Sequence, residues 1–179
     1  MISEFRKRFL IVDGYNVLRS GSRYRDIELP DYTDDYFNYA RELLLKDVSD
    51  YVGRRMHAVI VYDAGGKVGM PSKTETYGMV KVMFTSRGQS ADNLIERLAY
   101  DSRERGFETL VVTSDATIQD TVFGGGVDRM SAEGFCQEVE SEEIAREESN
   151  KPEISHKNTV AERIPAETLA KLKALRDGG

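Results

Sequence analysis

The chain has 179 residues, 40% of them apolar, which is enough to bury the core of one domain with a short appendage. A single cysteine and two histidines exclude an internal disulfide and a typical zinc site. No apolar run approaches the length of a membrane span, so we expect no membrane partner and a cytoplasmic location. The net charge of −6 weighs only mildly against a nucleic-acid partner, because a basic face can coexist with an acidic tail.

Apolar runs alternate with segments of helical periodicity. The predicted elements, in chain order, are strand 9–12, helix 34–53, strand 57–64, loop 65–78, strand 79–85, helix 90–106, strand 108–115, short helix 115–126 and helix 131–149. This alternation indicates an α/β fold with a mainly parallel sheet. Residues 1–149 are predicted to form this domain. Residues 150–179 are interpreted as a linker with a short amphipathic helix at 166–179, the alternative being disorder.

Acidic residues follow three of the predicted strands, at Asp13, Asp63 and Asp115. The carboxyl ends of parallel strands share one edge of a sheet, and ligands bind beyond that edge. Asp92 and Glu96 are four residues apart on a predicted helix, so their carboxylates lie on one face, roughly 6 Å apart. Clustered carboxylates repel one another, and Mg²⁺ or Mn²⁺, which prefer oxygen ligands, relieve that repulsion. The pattern therefore predicts a metal site that activates water for phosphodiester hydrolysis.

These acids also have simpler interpretations. A strand-end aspartate often caps a turn or a helix, which the sequence favours at Asp115 more than at Asp13, since Gly14 and Tyr15 open no obvious helix. Gly14 is interpreted as the residue that lets the backbone turn away from the charge at Asp13. The helical acid pair could equally belong to a solvated surface. Two neutral side chains are predicted to support the site, those of Asn16 and Ser114.

Basic residues cluster near the first strand and around the second and third. Arginines interleaved with an aromatic residue suit single-stranded RNA, through phosphate contact and base stacking. The alternative is a solvated loop without a ligand. The predicted RNA-binding residues are Arg19, Arg23, Tyr24, Arg25, Lys67, Lys73 and Arg87. The loop that carries Lys67 and Lys73 is long and polar, and is interpreted as a lid or a docking element.

Four segments in order, "VDGYNV", "VYDAGG", "VMFTSRGQSADNLIERL" and "VVTSDATIQDTVFGGGVDRMSAEGF", resemble the bacterial YacP-like group of NYN-domain proteins, within the PIN-like nuclease superfamily. The resemblance covers about residues 8–145 and leaves the tail outside. It implies a three-layer α/β/α fold and an endoribonuclease that depends on Mg²⁺ or Mn²⁺. It also implies mRNA as substrate and, more loosely, the ribosome as partner. By position, Asp13 and Asp92 would be the principal metal-site acids and Asp115 would complete the site. The supporting residues would be Asn16, Asp63 and Glu96.

Three alternatives were weighed. A haloacid-dehalogenase phosphatase also starts with a strand-end aspartate, but it needs a second one two residues on, where this chain has Tyr15. Nucleotide-binding folds need a glycine fingerprint that "DGYNVLRSG" lacks. The third alternative is a non-catalytic protein that binds RNA or the ribosome and keeps the fold. The sequence favours the endoribonuclease, and it leaves the oligomeric state and the RNA sequence open.

Overall fold

The computed structural model describes residues 7–31, 35–63, 73–86, 88–118 and 126–150. Its centre is a six-stranded sheet in the order β3-β4-β2-β1-β5-β6. The strands are β1 (Arg8–Asp13), β2 (Met56–Tyr62), β3 (Lys73–Tyr77), β4 (Val80–Phe84), β5 (Glu108–Val112) and β6 (Val127–Met130). The helices are α1 (Gly14–Ser20), α2 (Ser22–Arg25), α3 (Tyr36–Val52), α4 (Ala91–Glu104) and α5 (Ala132–Asn150). Every strand pair is parallel except β3 with β4, so the predicted α/β fold with a mainly parallel sheet is confirmed.

Side chains of the central strands alternate between two cores, as the pleat of a strand requires. Leu10 and Val12 face a core that they share with α1, α3 and α5. Ile11, between them, faces a second core that it shares with α4. Helices therefore cover both faces of the sheet in three layers. Both cores consist mainly of buried aliphatic residues, and the first also contains buried aromatic side chains. Burial of this apolar surface is the main driving force for the arrangement.

Two predicted helices have the expected ends. Ser90 caps α4 by accepting a hydrogen bond from the Asn93 amide at 3.2 Å, and Gly106 follows the helix with a positive φ of 77°. Asp35 caps α3 in the same way through the Asn38 amide at 3.0 Å. Cys136 is buried on α5 and packs in the same core as Leu10 and Val12.

Four elements were not predicted, among them the short helix α2. β3 lies inside the segment interpreted as a loop, and its residues are mostly exposed, because it is an edge strand that pairs with β4 alone. It carries no apolar run, so nothing in the sequence marked it. β6 has only four residues, two of them charged. α1 begins directly at Gly14, where no helix was expected.

The chain divides into two compact units, residues 1–144 and 145–179. Of the second unit the structure describes residues 145–150, the last residues of α5. The predicted helix at 166–179 lies outside the described residues, and the boundary between residues 149 and 150 stays a prediction. Among the described helices, none is long and apolar enough to cross a membrane.

Candidate active site at the carboxyl edge of the sheet

Asp13 is the last residue of β1 and also the N-cap of α1. Its Oδ1 accepts a hydrogen bond from the Asn16 amide at 3.4 Å, and its Oδ2 accepts one from the Thr113 hydroxyl at 3.2 Å. The sequence disfavoured a cap here, and that interpretation is wrong, because the helix starts at the very next residue. The strand therefore ends on a carboxylate that is held from two sides and only 7% exposed.

Burial raises the pKa of the Asp13 carboxyl from 3.8 to about 6. The hydrogen bonds from Asn16 and Thr113 oppose this shift of the pKa, while repulsion from Asp92 and Asp115 adds to it. Asp13 is thus a partly protonated acid near neutral pH, at a place where several negative charges act together. A shift of this kind in a cluster of acids is typical of functional sites.

Gly14 has a different role from the one predicted. Its backbone is helical, so it supplies no special turn. A Cβ atom at this position would lie 2.3 Å from Cε1 of Tyr62, well inside the contact limit. The glycine is required because the Tyr62 ring, at the end of β2, packs directly against the start of α1. This contact sets the spacing between Asp13 and the end of β2.

The hydroxyl of Tyr62 is buried and, within the part of the chain that the structure describes, has no hydrogen-bond partner. A buried polar group without a partner costs about 1–3 kcal/mol. We therefore expect Tyr62→Phe to raise the free energy of unfolding by roughly 1 kcal/mol, since the ring and its packing stay. Urea unfolding of both proteins measures this. A clear loss of stability would show that the hydroxyl does have a partner.

The segment after β5 joins three elements around Asp13. The Ser114 amide donates to the side-chain oxygen of Asn16 at 2.7 Å, which ties this segment to α1. The Ser114 hydroxyl accepts a hydrogen bond from the Ala132 amide at 3.0 Å, at the start of α5. Thr113 is fully buried, and its hydroxyl bridges the Asp13 carboxylate and the Asp115 amide, 3.1 Å away. These positions suit the supporting roles predicted for Asn16 and Ser114, which remain predictions.

Asp115 begins a helical turn at residues 116–118. Its Oδ1 accepts hydrogen bonds from the Thr117 amide at 2.8 Å and the Thr117 hydroxyl at 2.7 Å. These bonds hold the pKa of Asp115 below its usual value of 3.8. The cap interpretation of Asp115 is thus correct. Both hydrogen bonds use Oδ1, so capping does not occupy the second carboxylate oxygen.

Asp92 lies in the first turn of α4, as predicted. Burial raises its pKa, and so does repulsion from Asp115, Glu96 and Asp63. Together with the influence of Asp92 and Asp115 on Asp13, this shows that Asp92 lies within electrostatic range of the four other predicted acids. The topology therefore gathers the acids at one edge, as the sequence indicated.

Within the described ranges, no three cysteine, histidine or acidic side chains lie close enough to hold a metal ion together. Asp115 is turned towards Thr117, whose amide and hydroxyl both donate to its Oδ1. The donor chemistry still fits a hard cation, because every acidic group at this edge offers only oxygen. The ligand set of Asp13, Asp92 and Asp115 remains a prediction.

Two of the predicted RNA contacts are wrong. Tyr24 is fully buried and its hydroxyl donates to Asp47 at 2.9 Å, so its ring cannot stack on a base. Arg23 bonds to Asp47 at 2.7 Å and to Glu143 at 3.0 Å, so its charge serves the fold. Both side chains bind an acid that lies more than 20 residues further along the chain, which local sequence patterns do not reveal.

The other residues predicted to contact RNA have different surroundings. Arg25 and Lys73 are exposed and each pairs with a neighbouring acid, Asp26 and Glu75 respectively. Arg19 is exposed and lies over the ring of Tyr15, with its guanidinium carbon 5.7 Å from the ring centroid. Lys67 and Arg87 lie outside the described residues.

Arg41 was not among the predicted residues. Its guanidinium carbon lies 6.0 Å from the ring centroids of both Tyr62 and Phe84, the last residues of β2 and β4. A positive charge is therefore present at the same edge as the acids. The signal in the sequence was the spacing of four between Phe37 and Arg41, which puts an aromatic and a cationic side chain on one helix face.

Comparisons with known proteins agree with this architecture. A family model described as the YacP-like NYN domain matches residues 10–177. The resemblance thus extends into the tail, and the expectation that it stops near residue 145 is wrong. The "Uncharacterized protein YacP" of Bacillus subtilis (strain 168) is 33% identical over 135 residues, which are 74% of this chain and 75% of that protein.

Two solved structures are also similar. The crystal structure of Rae1 (YacP) from Bacillus subtilis has a TM-score of 0.62 at 30% identity, and the match covers 95% of each chain. A mutant form of the same protein has a TM-score of 0.65 at 28% identity, with 94% of this chain and 99% of that chain covered. The chain belongs to the YacP-like NYN family, whose domain indicates a nuclease-like, RNA-related function.

Proposed function

We propose that this protein is an endoribonuclease that depends on Mg²⁺ or Mn²⁺ and hydrolyses phosphodiester bonds in RNA. The observation that carries the proposal is the buried Asp13 carboxylate at the carboxyl end of the central strand, with its pKa raised to about 6 and with Asp92 and Asp115 in electrostatic range. Clustered acids of this kind destabilise the metal-free fold, so their presence calls for a cationic ligand. The nuclease-like family supports the same conclusion.

In this proposal Asp13, Asp92 and Asp115 would hold the cation, and the chemistry that it would supply is activation of water and neutralisation of charge on the phosphate. Asp63 and Glu96 lie in the same field of charge and would hold water molecules or raise the affinity for the cation. Thr113 fixes the orientation of the Asp13 carboxylate through its hydroxyl. Asn16 and Ser114 keep the segment after β5 at a constant distance from α1.

The proposed substrate is mRNA, and the ribosome is a further proposed partner. Both rest on the resemblance of the site motifs to the YacP-like group. The cytoplasm is the proposed location, since translated mRNA and ribosomes occur there.

The test is cleavage of an end-labelled mRNA with Mg²⁺ or Mn²⁺, alone and on translating ribosomes. We expect the wild type to cut and Asp92→Asn to lose at least about 100-fold in rate, because loss of a metal ligand removes several kcal/mol of transition-state stabilisation. A matched control is Asp101→Asn, an exposed aspartate further along the same helix, which should cut like the wild type.

Chelation of divalent cations with EDTA should stop cleavage by the wild type. Full activity in Asp92→Asn would contradict the assignment of the site. Absence of cleavage in every condition, with RNA or ribosomes still bound, would instead support the non-catalytic binding protein.

A further inference from the structure

Beside the acids lies a surface of aromatic and cationic side chains, which we call the aromatic surface: Tyr15, Phe37, Arg19 and Arg41. Tyr15 is in the first turn of α1, two residues after Asp13. Its ring meets the ring of Phe37 on α3 edge to face, with centroids 6.3 Å apart and an interplanar angle of 88°. Phe37 is 48% exposed, so half of a large apolar ring faces solvent next to the candidate active site.

The aromatic surface is anchored to the carboxyl edge of the sheet. The Tyr15 ring packs against the ring of Tyr62, with centroids 5.0 Å apart, and Tyr62 stacks on Phe84 at 5.4 Å. Tyr62 and Phe84 end β2 and β4, the two strands beside β1 on that side. The exposed ring of Phe37 therefore rests, through Tyr15, on a rigid base that is continuous with the strand carrying Asp13.

The two arginines of this surface differ from the basic residues that form ion pairs in the fold. Arg23, Arg25, Lys46 and Lys73 each pair with a carboxylate. In the described part of the chain no carboxylate pairs with Arg19 or Arg41; Arg41 bonds instead to the neutral side chain of Asn38. Among the described residues, both guanidinium groups lie over aromatic rings and form no ion pair, so each of them can accept a phosphate of a bound strand.

We propose that the aromatic surface binds single-stranded RNA beside the scissile bond, with a nucleobase stacked on Phe37 and phosphates held by Arg41 and Arg19. Every base has a π-face, so stacking tolerates any sequence and is worth about 1–3 kcal/mol per base. In a duplex the faces of the bases are already stacked, so this surface selects unpaired RNA. The inference rests on the proposed function in one respect, namely that the bound strand is then cleaved at the neighbouring acids.

The test uses the full chain with EDTA, which prevents cleavage, and a short single-stranded RNA that carries the fluorescent base 2-aminopurine. Stacking on an aromatic ring quenches this base, so fluorescence reports stacking and anisotropy reports affinity. We expect Phe37→Ala to weaken binding about 10-fold and to remove the quenching, and Phe37→Tyr to keep both. Arg41→Ala should weaken binding and reduce its dependence on salt.

The matched control is Tyr100→Ala. Tyr100 is 56% exposed on α4 and has the Arg103 guanidinium carbon 5.1 Å from its ring, so it repeats the same chemistry away from the aromatic surface. We expect it to bind RNA like the wild type. A melting curve for each variant establishes that it is folded.

Unchanged affinity and quenching in Phe37→Ala would overturn the proposal, as would a wild type that binds no RNA or binds duplex and single strand equally. These outcomes are separate from the failure of the proposed function. A wild type that never cleaves RNA but loses binding through Phe37→Ala would refute the nuclease and keep the aromatic surface.

Discussion

Asp13→Asn is expected to abolish RNA cleavage and, in the metal-free protein, to increase stability near neutral pH. Cleavage is lost because an amide is a poor ligand for a hard cation and carries no charge to hold it. Stability rises because the wild-type fold has to keep a buried carboxylate ionised close to Asp92 and Asp115. The same residue would therefore oppose folding and support catalysis, a trade-off that is common where activity needs a destabilised site.

The stability gain has a defined dependence on pH. The pKa of Asp13 is about 6 in the folded protein, against 3.8 for the ordinary group, so the folded state binds the proton more tightly than the unfolded state. The stabilisation that comes from this tighter binding of the proton to Asp13 is complete below pH 3.8 and is lost as the pH rises through about 6. The gain from Asp13→Asn should thus be roughly 2 kcal/mol larger near pH 7.5 than near pH 4.5.

Urea unfolding of both proteins in EDTA at the two pH values measures this difference. Asp101→Asn, an exposed aspartate on α4, is the control and should change stability little at either pH. A gain that does not change with pH would mean that Asp13 is not the group whose proton is linked to folding. Cleavage by Asp13→Asn at the wild-type rate would remove Asp13 from the proposed metal site.

The sequence predicted the central features of the fold because these depend on local patterns. Apolar runs marked β1, β2, β4 and β5. An acid follows three of these runs, and parallel strands bring their carboxyl ends to one edge of the sheet. The edge strand β3 was not found, because a strand that pairs on one side only and faces solvent needs no apolar run. Local patterns are informative only where burial is continuous along the chain.

Predictions about single side chains were less successful because their partners are distant in sequence. The aromatic residue predicted to stack on a base, Tyr24, is buried, whereas Phe37 on α3 has an exposed ring beside the acids. Gly14 is needed because of Tyr62, which lies 48 positions later, and not for a turn of the backbone. Neither fact has a signature within a window of neighbouring residues.

Asp47 is the acidic residue to which both Arg23 and Tyr24 donate hydrogen bonds. It lies on α3, is only 1% exposed, and was not singled out in the sequence. Its Oδ2 accepts hydrogen bonds from Arg23 Nε at 2.7 Å and from the Tyr24 hydroxyl at 2.9 Å, while Oδ1 accepts one from Arg23 Nη2 at 3.1 Å. A buried carboxylate with a two-point arginine contact is satisfied only while all of these donors are present.

Asp47→Ala is therefore expected to lower the free energy of unfolding by about 3–5 kcal/mol, since it leaves a half-buried guanidinium and a buried hydroxyl without their main acceptor. In a chain of this length that corresponds to a melting temperature roughly 10 °C lower. Thermal unfolding followed by circular dichroism measures it. Lys46→Ala, at the adjacent position of α3, breaks only an exposed pair with Asp50 and should cost less than about 1 kcal/mol.

Substitutions in this network also distinguish two roles for Arg23 and Tyr24, a role in the fold and a role in RNA binding. If Arg23 and Tyr24 serve the fold, Tyr24→Phe should lower stability because it removes one of the three hydrogen bonds to the buried Asp47 carboxylate. RNA binding per folded molecule should not change. Equal stability of Asp47→Ala and Lys46→Ala would show that this buried network contributes nothing. The charge of Arg23 would then be available for RNA after all, with only the exposed carboxylate of Glu143 competing for it.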